Sequence, residues 1–181
     1  MEKLIVEEHN IITITYELKE NGSHGALMER MDANYPFIFL FGSGKLLVAF
    51  EENLRGLAQD ETFEFILQPH EAYGPVEQGN IIDVPREAFK VDGIIPPNLI
   101  TENNFVNLID DLGDAHQGKI LSFDDEKVKV DFNHAMAGKA LHFKGAVLNI
   151  RKANIDELVR NHYIQEDGIQ RPDFGETENL W

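Results

Sequence analysis

Residues 35–57 read YPFIFLFGSGKLLVAFEENLRGL, and the apolar period changes inside that one run. YPFIFLF is rich in residues that suit a pleated, half-buried surface and reads as a strand. Gly42 and Gly44 break it. Beyond them Leu46, Leu47, Phe50, Leu54 and Leu57 fall at helical spacing, which predicts a short amphipathic helix ending near Gly56. A strand running into one short helix, with aromatic side chains on both, predicts a sheet packed on that helix.

Upstream, residues 3–7 and 10–19 read as strands. In the second, Ile12, Ile14 and Tyr16 alternate with Thr13, Thr15 and Glu17. ENGSHG (20–25) is a turn, and ALMERM is a short apolar stretch leading to the quoted strand. Downstream, TFEFILQP (62–69) is a strand and HEAYGP (70–75) a turn. From about Gly79 to Asp131 the texture alters. IIDVP, FVNLI, KILSF and KVKVDF are short candidate strands, REAF is a helical turn, and Pro96-Pro97 forces an extended or turned segment. This block reads as a small β domain of its own. NHAMAG (133–138) is a loop, ALHFKGAVLNIRKA (140–153) a long strand in which Gly145 suggests a bulge, and IDELVRNHY a short helix before a polar, acidic end. The expected organisation is a discontinuous domain (1–79 and 132–153), an insert (80–131), and a helix with an acidic tail (154–181). The expected fold class is α+β, a curved antiparallel sheet wrapped on one short helix with a small β-rich insert.

The 16 Lys and Arg stand against 32 Asp and Glu, a net charge of −16. Such a surface repels phosphate backbones, so no nucleic-acid partner is expected. The same charge discourages self-association, and a monomer is expected. No apolar run has the length of a membrane span, and the first residues lack a secretory pattern, so a cytoplasmic protein without membrane partners is expected. With no cysteine, disulfides, thiolate metal sites and cysteine nucleophiles are excluded together. FGSGKLL lacks the spacing of a phosphate-binding loop, no Gly-x-Ser-x-Gly elbow occurs, and the seven histidines are scattered singly. No metal and no cofactor are expected. What remains is a density of aromatic residues, which serves either a plain β core or an apolar pocket.

The order TITYEL, ALMER, PFIF, KLLVAFE, EAYG, ALHF resembles the FKBP family from one end to the other. The sixty residues between EAYG and ALHF, opening on VPREAF and closing on VDFNHAMAGKALHF, resemble the insert-in-flap of the SlyD-like branch. The resemblance covers roughly residues 3–153. It implies a peptidyl-prolyl cis-trans isomerase and folding chaperone whose partners are unfolded or nascent chains with Xaa-Pro bonds, and whose pocket accepts the family's macrolide ligands. By position it places Tyr16, Glu29, Phe39, Leu46, Leu47, Phe50, Tyr73 and Phe143 in the catalytic pocket, with Met28 beside them. It makes the Leu47 N–H a donor to a ligand carbonyl. Ile81, Ile82, Ile94, Ile95 and Leu99 are then expected to bind substrate from the insert.

Three departures follow from the same match. Phe50 stands where a Trp is common, Glu29 where Asp is usual, and the His- and Cys-rich tail of some members is missing. Two rival readings remain open at this point: a holdase that binds proline segments with little turnover, and an adaptor working through its acidic tail.

Overall fold

The computed structural model describes residues 4–110 and 112–165, and the acidic tail from 166 onward lies outside them. The chain divides into two compact units, one of residues 1–74 and 138–181, the other of residues 75–137.

The first unit is an antiparallel sheet on a short helix. β1 (Asn10–Glu20) is its spine, flanked by β2 (Leu27–Met31), β3 (Phe37–Leu40) and the long β9 (Leu141–Lys152); β4 (Thr62–Leu67) closes the far side of β9. α1 (Val48–Leu54) starts later than the spacing of its leucines suggests. Gly42 and Gly44 take positive φ, and Leu47 is still extended (ψ 127°). The first helical N–H groups, of Phe50 and Glu51, therefore donate to the Leu47 carbonyl at 3.0 and 3.1 Å. The bend is tied to the helix by Glu51, whose carboxylate accepts the Gly42 N–H at 2.9 Å. Burial raises the Glu51 pKa, and that hydrogen bond pulls it back.

Three expectations are corrected here. The stretch around residues 4–7 is no regular strand: Ile5 forms a single bridge with Ala58, and Lys3 lies outside the described residues. ALMERM, expected only as a short apolar stretch, supplies a strand of its own, since LMERM pairs along β1. Gly145 is not at a bulge. The register slips elsewhere, where Thr13 faces Asn149 and Ile14 faces Val147, leaving Leu148 extra. Gly145 lies between Tyr16 and Phe63, and a Cβ there would collide with the Thr15 carbonyl oxygen and come within 2.7 Å of the Phe63 ring.

α2 (Ile155–Arg160) docks by its charge rather than by its apolar side. Glu157 is fully buried and takes both guanidinium nitrogens of Arg151, at 2.8 and 2.6 Å. It also accepts the N–H groups of Asn154 and Ile164. Burial opposes the charge, but these donors win and hold the carboxyl at about 2. Ile155 and Val159 point outward, 78% and 79% exposed.

The second unit is a four-stranded antiparallel sheet in the order β5 (Ile81–Pro85), β8 (Lys127–Asp131), β7 (Ala115–Phe123), β6 (Phe105–Ile109). Val84, Phe89, Val106, Ile120, Val128 and Val130 form its core. Its limits fall outside the 80–131 block for a local reason. The Asn133 carboxamide accepts the Glu77 N–H at 2.9 Å and donates back to the Glu77 carbonyl at 3.0 Å, clasping the two flanking segments together. Among the described residues no helix is long and apolar enough to cross a membrane.

Replacing Gly145 with Ala should cost about 3 kcal/mol, because backbone and ring must both move to admit the methyl. Urea unfolding of the variant beside the wild type measures it, and an unchanged midpoint would show that β1 and β9 are not this close.

Candidate functional site

The ring of Phe50, on α1, meets one aromatic ring from each of four strands. Centroid distances are 6.4 Å to Tyr16 on β1, 6.3 Å to Phe39 on β3, 5.8 Å to Phe65 on β4 and 4.9 Å to Phe143 on β9. These separations and tilts are those of favourable ring pairs. Tyr16, Phe39, Phe50 and Phe143, placed together by sequence, are thus brought together. They are also nearly closed to solvent: Phe143 is 0% exposed, Tyr16 2% and Phe50 4%. They form a floor, and the accessible surface belongs to a half-buried rim of Met28, Glu29, Leu47, Phe65 and Tyr73.

Two rim positions depend on a defect in the sheet. Along β2, Glu29 faces Leu18 and Leu27 faces Lys19, so Met28 is the extra residue of a bulge. A bulge breaks strict alternation, and both Met28 and Glu29 are half-buried. The Tyr16 hydroxyl and the Glu29 carboxylate act on each other electrostatically. Burial raises the Glu29 pKa, and the nearby Tyr16 hydroxyl lowers it in part. Burial first, and then the Glu29 charge, push the Tyr16 hydroxyl well above its ordinary range and raise that of Tyr73 as well. Two phenols and one carboxyl therefore stand together at the edge of an apolar floor.

Leu46 is buried and Leu47 half-buried, both just ahead of α1 rather than on it. The Leu47 N–H meets no acceptor among the described residues. Tyr73 follows a single 3-10 turn, Pro69–Glu71, closed by a reciprocal cap: the Gln68 N–H donates to the Glu71 carboxylate at 2.8 Å. Gly74 then turns the chain with φ 76°.

Phe65 and Phe37 were missed as site residues. Phe65 sits opposite Phe143 across β4 and β9, with centroids 5.5 Å apart. Phe37 is edge-on to Tyr16 at 6.0 Å and stacked on Phe39 at 5.1 Å. The period-2 rule carries a signal for Phe37, which shares a strand face with Phe39, but not for Phe65, whose face-mate Phe63 is no predicted site residue.

In the second unit the predicted binding residues divide. Ile82 and Ile94 are exposed, the latter 72%, whereas Ile95 and Leu99 pack against the core and Ile81 is half-buried. Val91 and Ile94 are held out by a tight Asp92-Gly93 turn with both φ positive. Phe105, Ile109, Leu112 and Phe123 add further exposed apolar surface. Asp110 accepts the Leu112 and Asp114 N–H groups and contacts His116 at 2.8 Å, while Asp111 lies outside the described residues.

Residues 3–99 match the family model of the FKBP-type peptidyl-prolyl cis-trans isomerases. The chain belongs to that family, on its SlyD-like branch. It is 31% identical over 159 residues to the FKBP-type peptidyl-prolyl cis-trans isomerase SlyD of Haemophilus influenzae, covering 87% of this chain and 78% of the relative. Against the SlyD of Helicobacter pylori the identity is 31% over 153 residues, covering 83% and 77%. Against that of Escherichia coli it is 27% over 157 residues, covering 84% and 74%. The SlyD alignments span most of this chain, whereas the family model covers residues 3–99.

The raised Glu29 pKa fixes the sign of a pH effect. The native state holds this proton more tightly than the unfolded chain, so wild type should lose stability relative to Glu29→Gln as pH rises from the ordinary glutamate range through the raised native value. Urea unfolding of both proteins at pH 4 and pH 7 tests this. A difference that stays constant, or that favours wild type at pH 7, would contradict it.

Proposed function

We infer that the first unit isomerises Xaa-Pro bonds at the Phe50 floor and its rim, and that the second holds unfolded chain for it. The observation that carries the reading is the five-ring cluster on Phe50, bordered by a polar rim where the Leu47 N–H meets no acceptor among the described residues.

The reaction breaks no bond. Rotation about the conjugated C–N bond meets a barrier of about 18–20 kcal/mol, and uncatalysed exchange takes on the order of tens of seconds or more. Twisting removes the conjugation and makes the carbonyl less dipolar. Water stabilises the planar amide better than the twisted one, so an environment that excludes water favours the twist. Binding that strengthens as the amide twists lowers the barrier. In this arrangement Phe50 and Phe65 offer the dry surface beneath the proline ring. The Leu47 N–H donates to a substrate carbonyl, and the Tyr73 hydroxyl donates to another. The Glu29 carboxyl, whose charge the Tyr16 hydroxyl favours, faces the reacting amide. Phe143, Tyr16 and Phe39 act from behind by fixing Phe50. Because the floor has almost no open surface, proline entry displaces rim side chains such as Met28 and Tyr73.

The second unit adds exposed Ile82, Val91, Ile94, Ile109 and Leu112, an apolar surface suited to unfolded chain. Holding a client there raises the concentration of its prolines near the catalytic unit without new chemistry. The closed floor favours one alternative, a holdase that binds proline segments with slow turnover.

Exchange NMR of a short Phe-Pro peptide separates these readings. Wild type should accelerate exchange, and Tyr73→Ala should reduce kcat/KM about 10-fold while remaining folded, since the residue is only half-buried. The second unit can be removed cleanly, because the Gly138 N–H donates to the Gly74 carbonyl at 2.8 Å and a short glycine linker spans that gap. Deleting 75–137 should spare peptide exchange and slow proline-limited refolding of a whole protein at least 10-fold. Bound peptide without acceleration would establish the holdase, and equal loss in both assays would end the two-site account.

A further inference from the structure

The bend from Gly42 to Leu47 carries two rim or floor groups, yet it lies between a strand and a helix and has two positive-φ glycines. Its near end is tied by Glu51 to the Gly42 N–H. Its middle is held by a residue 118 positions away. The Asn161 side-chain N–H donates to the Ser43 carbonyl at 2.8 Å. Asn161 ends α2 in the left-handed conformation, φ 55° and ψ 38°, with its own N–H turned back to the Glu157 and Leu158 carbonyls. Gly is the residue this position ordinarily favours, and Asn is the usual substitute. Only Asn gives the cap a side-chain donor to aim elsewhere.

The donor is itself anchored. α2 is pinned by the buried Glu157 to Arg151 on β9, the strand that carries Phe143. Next to Asn161, the His162 ring lines a recess of about 10 Å³ with Phe39, Ser43 and Leu46, room for no more than one water. A continuous set of contacts therefore runs from β9 through Glu157 and Asn161 to Ser43, and on to Leu46 and Leu47.

We propose that Asn161 is a positioning residue for the isomerase site, holding the Ser43 carbonyl so that the 43–47 bend presents the Leu47 N–H and the Leu46 side chain in register with Phe50. It touches neither substrate nor the reacting bond. The proposal rests on the reading of Leu46 and Leu47 as site residues.

Asn161→Gly separates this role from plain helix capping. Gly accepts the left-handed conformation and keeps the cap, so a capping role alone predicts unchanged stability and unchanged activity. Positioning predicts an unchanged Tm, a kcat/KM on the Phe-Pro peptide reduced about 3- to 10-fold and carried by KM, and shifted, faster-exchanging amides confined to residues 43–47. Asn161→Asp, which tolerates the same backbone but cannot donate to Ser43, should reproduce the loss. Unchanged kcat/KM in Asn161→Gly overturns the proposal, as does a loss with the 43–47 amides unmoved. Tyr73→Ala runs alongside: if it abolishes exchange while Asn161→Gly does not, only the positioning role fails, and if neither variant matters, the site reading itself has failed.

Discussion

The first unit depends on one constraint, that a single aromatic ring on a seven-residue helix must satisfy four strands at once. Phe50 faces rings from β1, β3, β4 and β9. A helix of seven residues has little intrinsic stability, so its place is set by tertiary packing. The ring supplies the packing, and the sheet supplies the geometry: β1 must pair with β9 closely enough that only Gly145 fits opposite Tyr16. Glu51 adds the second restraint by fixing the bend at Gly42. The candidate site is thus not a feature set into a finished fold. It is the open margin of the same aromatic contact that holds the helix on the sheet.

That coupling explains the division between floor and rim. Rings that hold the fold are closed to solvent, and groups able to meet a substrate are half-buried and sit where regularity fails: the bulge at Met28, the extended residue before α1, the single turn before Tyr73. Irregular backbone leaves donors unspent among the described residues, as at Leu47, and re-aims side chains, as at Glu29. A carboxyl retained at such a margin is costly, and its raised pKa is the record of that cost.

Much of this was legible in the run 35–57, because a change of apolar period between two glycines reports a strand, a bend and a helix locally. Periodicity could not report pairing. ALMERM reads as no more than a short apolar stretch, yet β1 recruits LMERM as an edge strand. Gly145 suggested a bulge because glycine in a strand has two meanings, and only the approach of Thr15 and Phe63 distinguishes them. The family match places Phe39 in the pocket but not Phe37, which strand face would have added, and Phe65 is brought in only by the pairing of β4 with β9. In the second unit an apolar inventory alone did not distinguish Ile94 from Ile95, adjacent residues of which one is exposed and one packs on the core. Nor does the composition of α2 reveal that it binds by Glu157 and turns its valine outward, since Arg151 belongs to another element.

The central claim is that proline binds over the Phe50 floor. Isotope-filtered NOE spectroscopy of the ¹³C-labelled protein with an unlabelled Phe-Pro peptide tests it most directly. Cross-peaks from the proline ring protons to Phe50, Phe65 and Leu47 are the predicted result. Cross-peaks confined to Ile82, Ile94 or Leu112, with none to the first unit, would contradict the account.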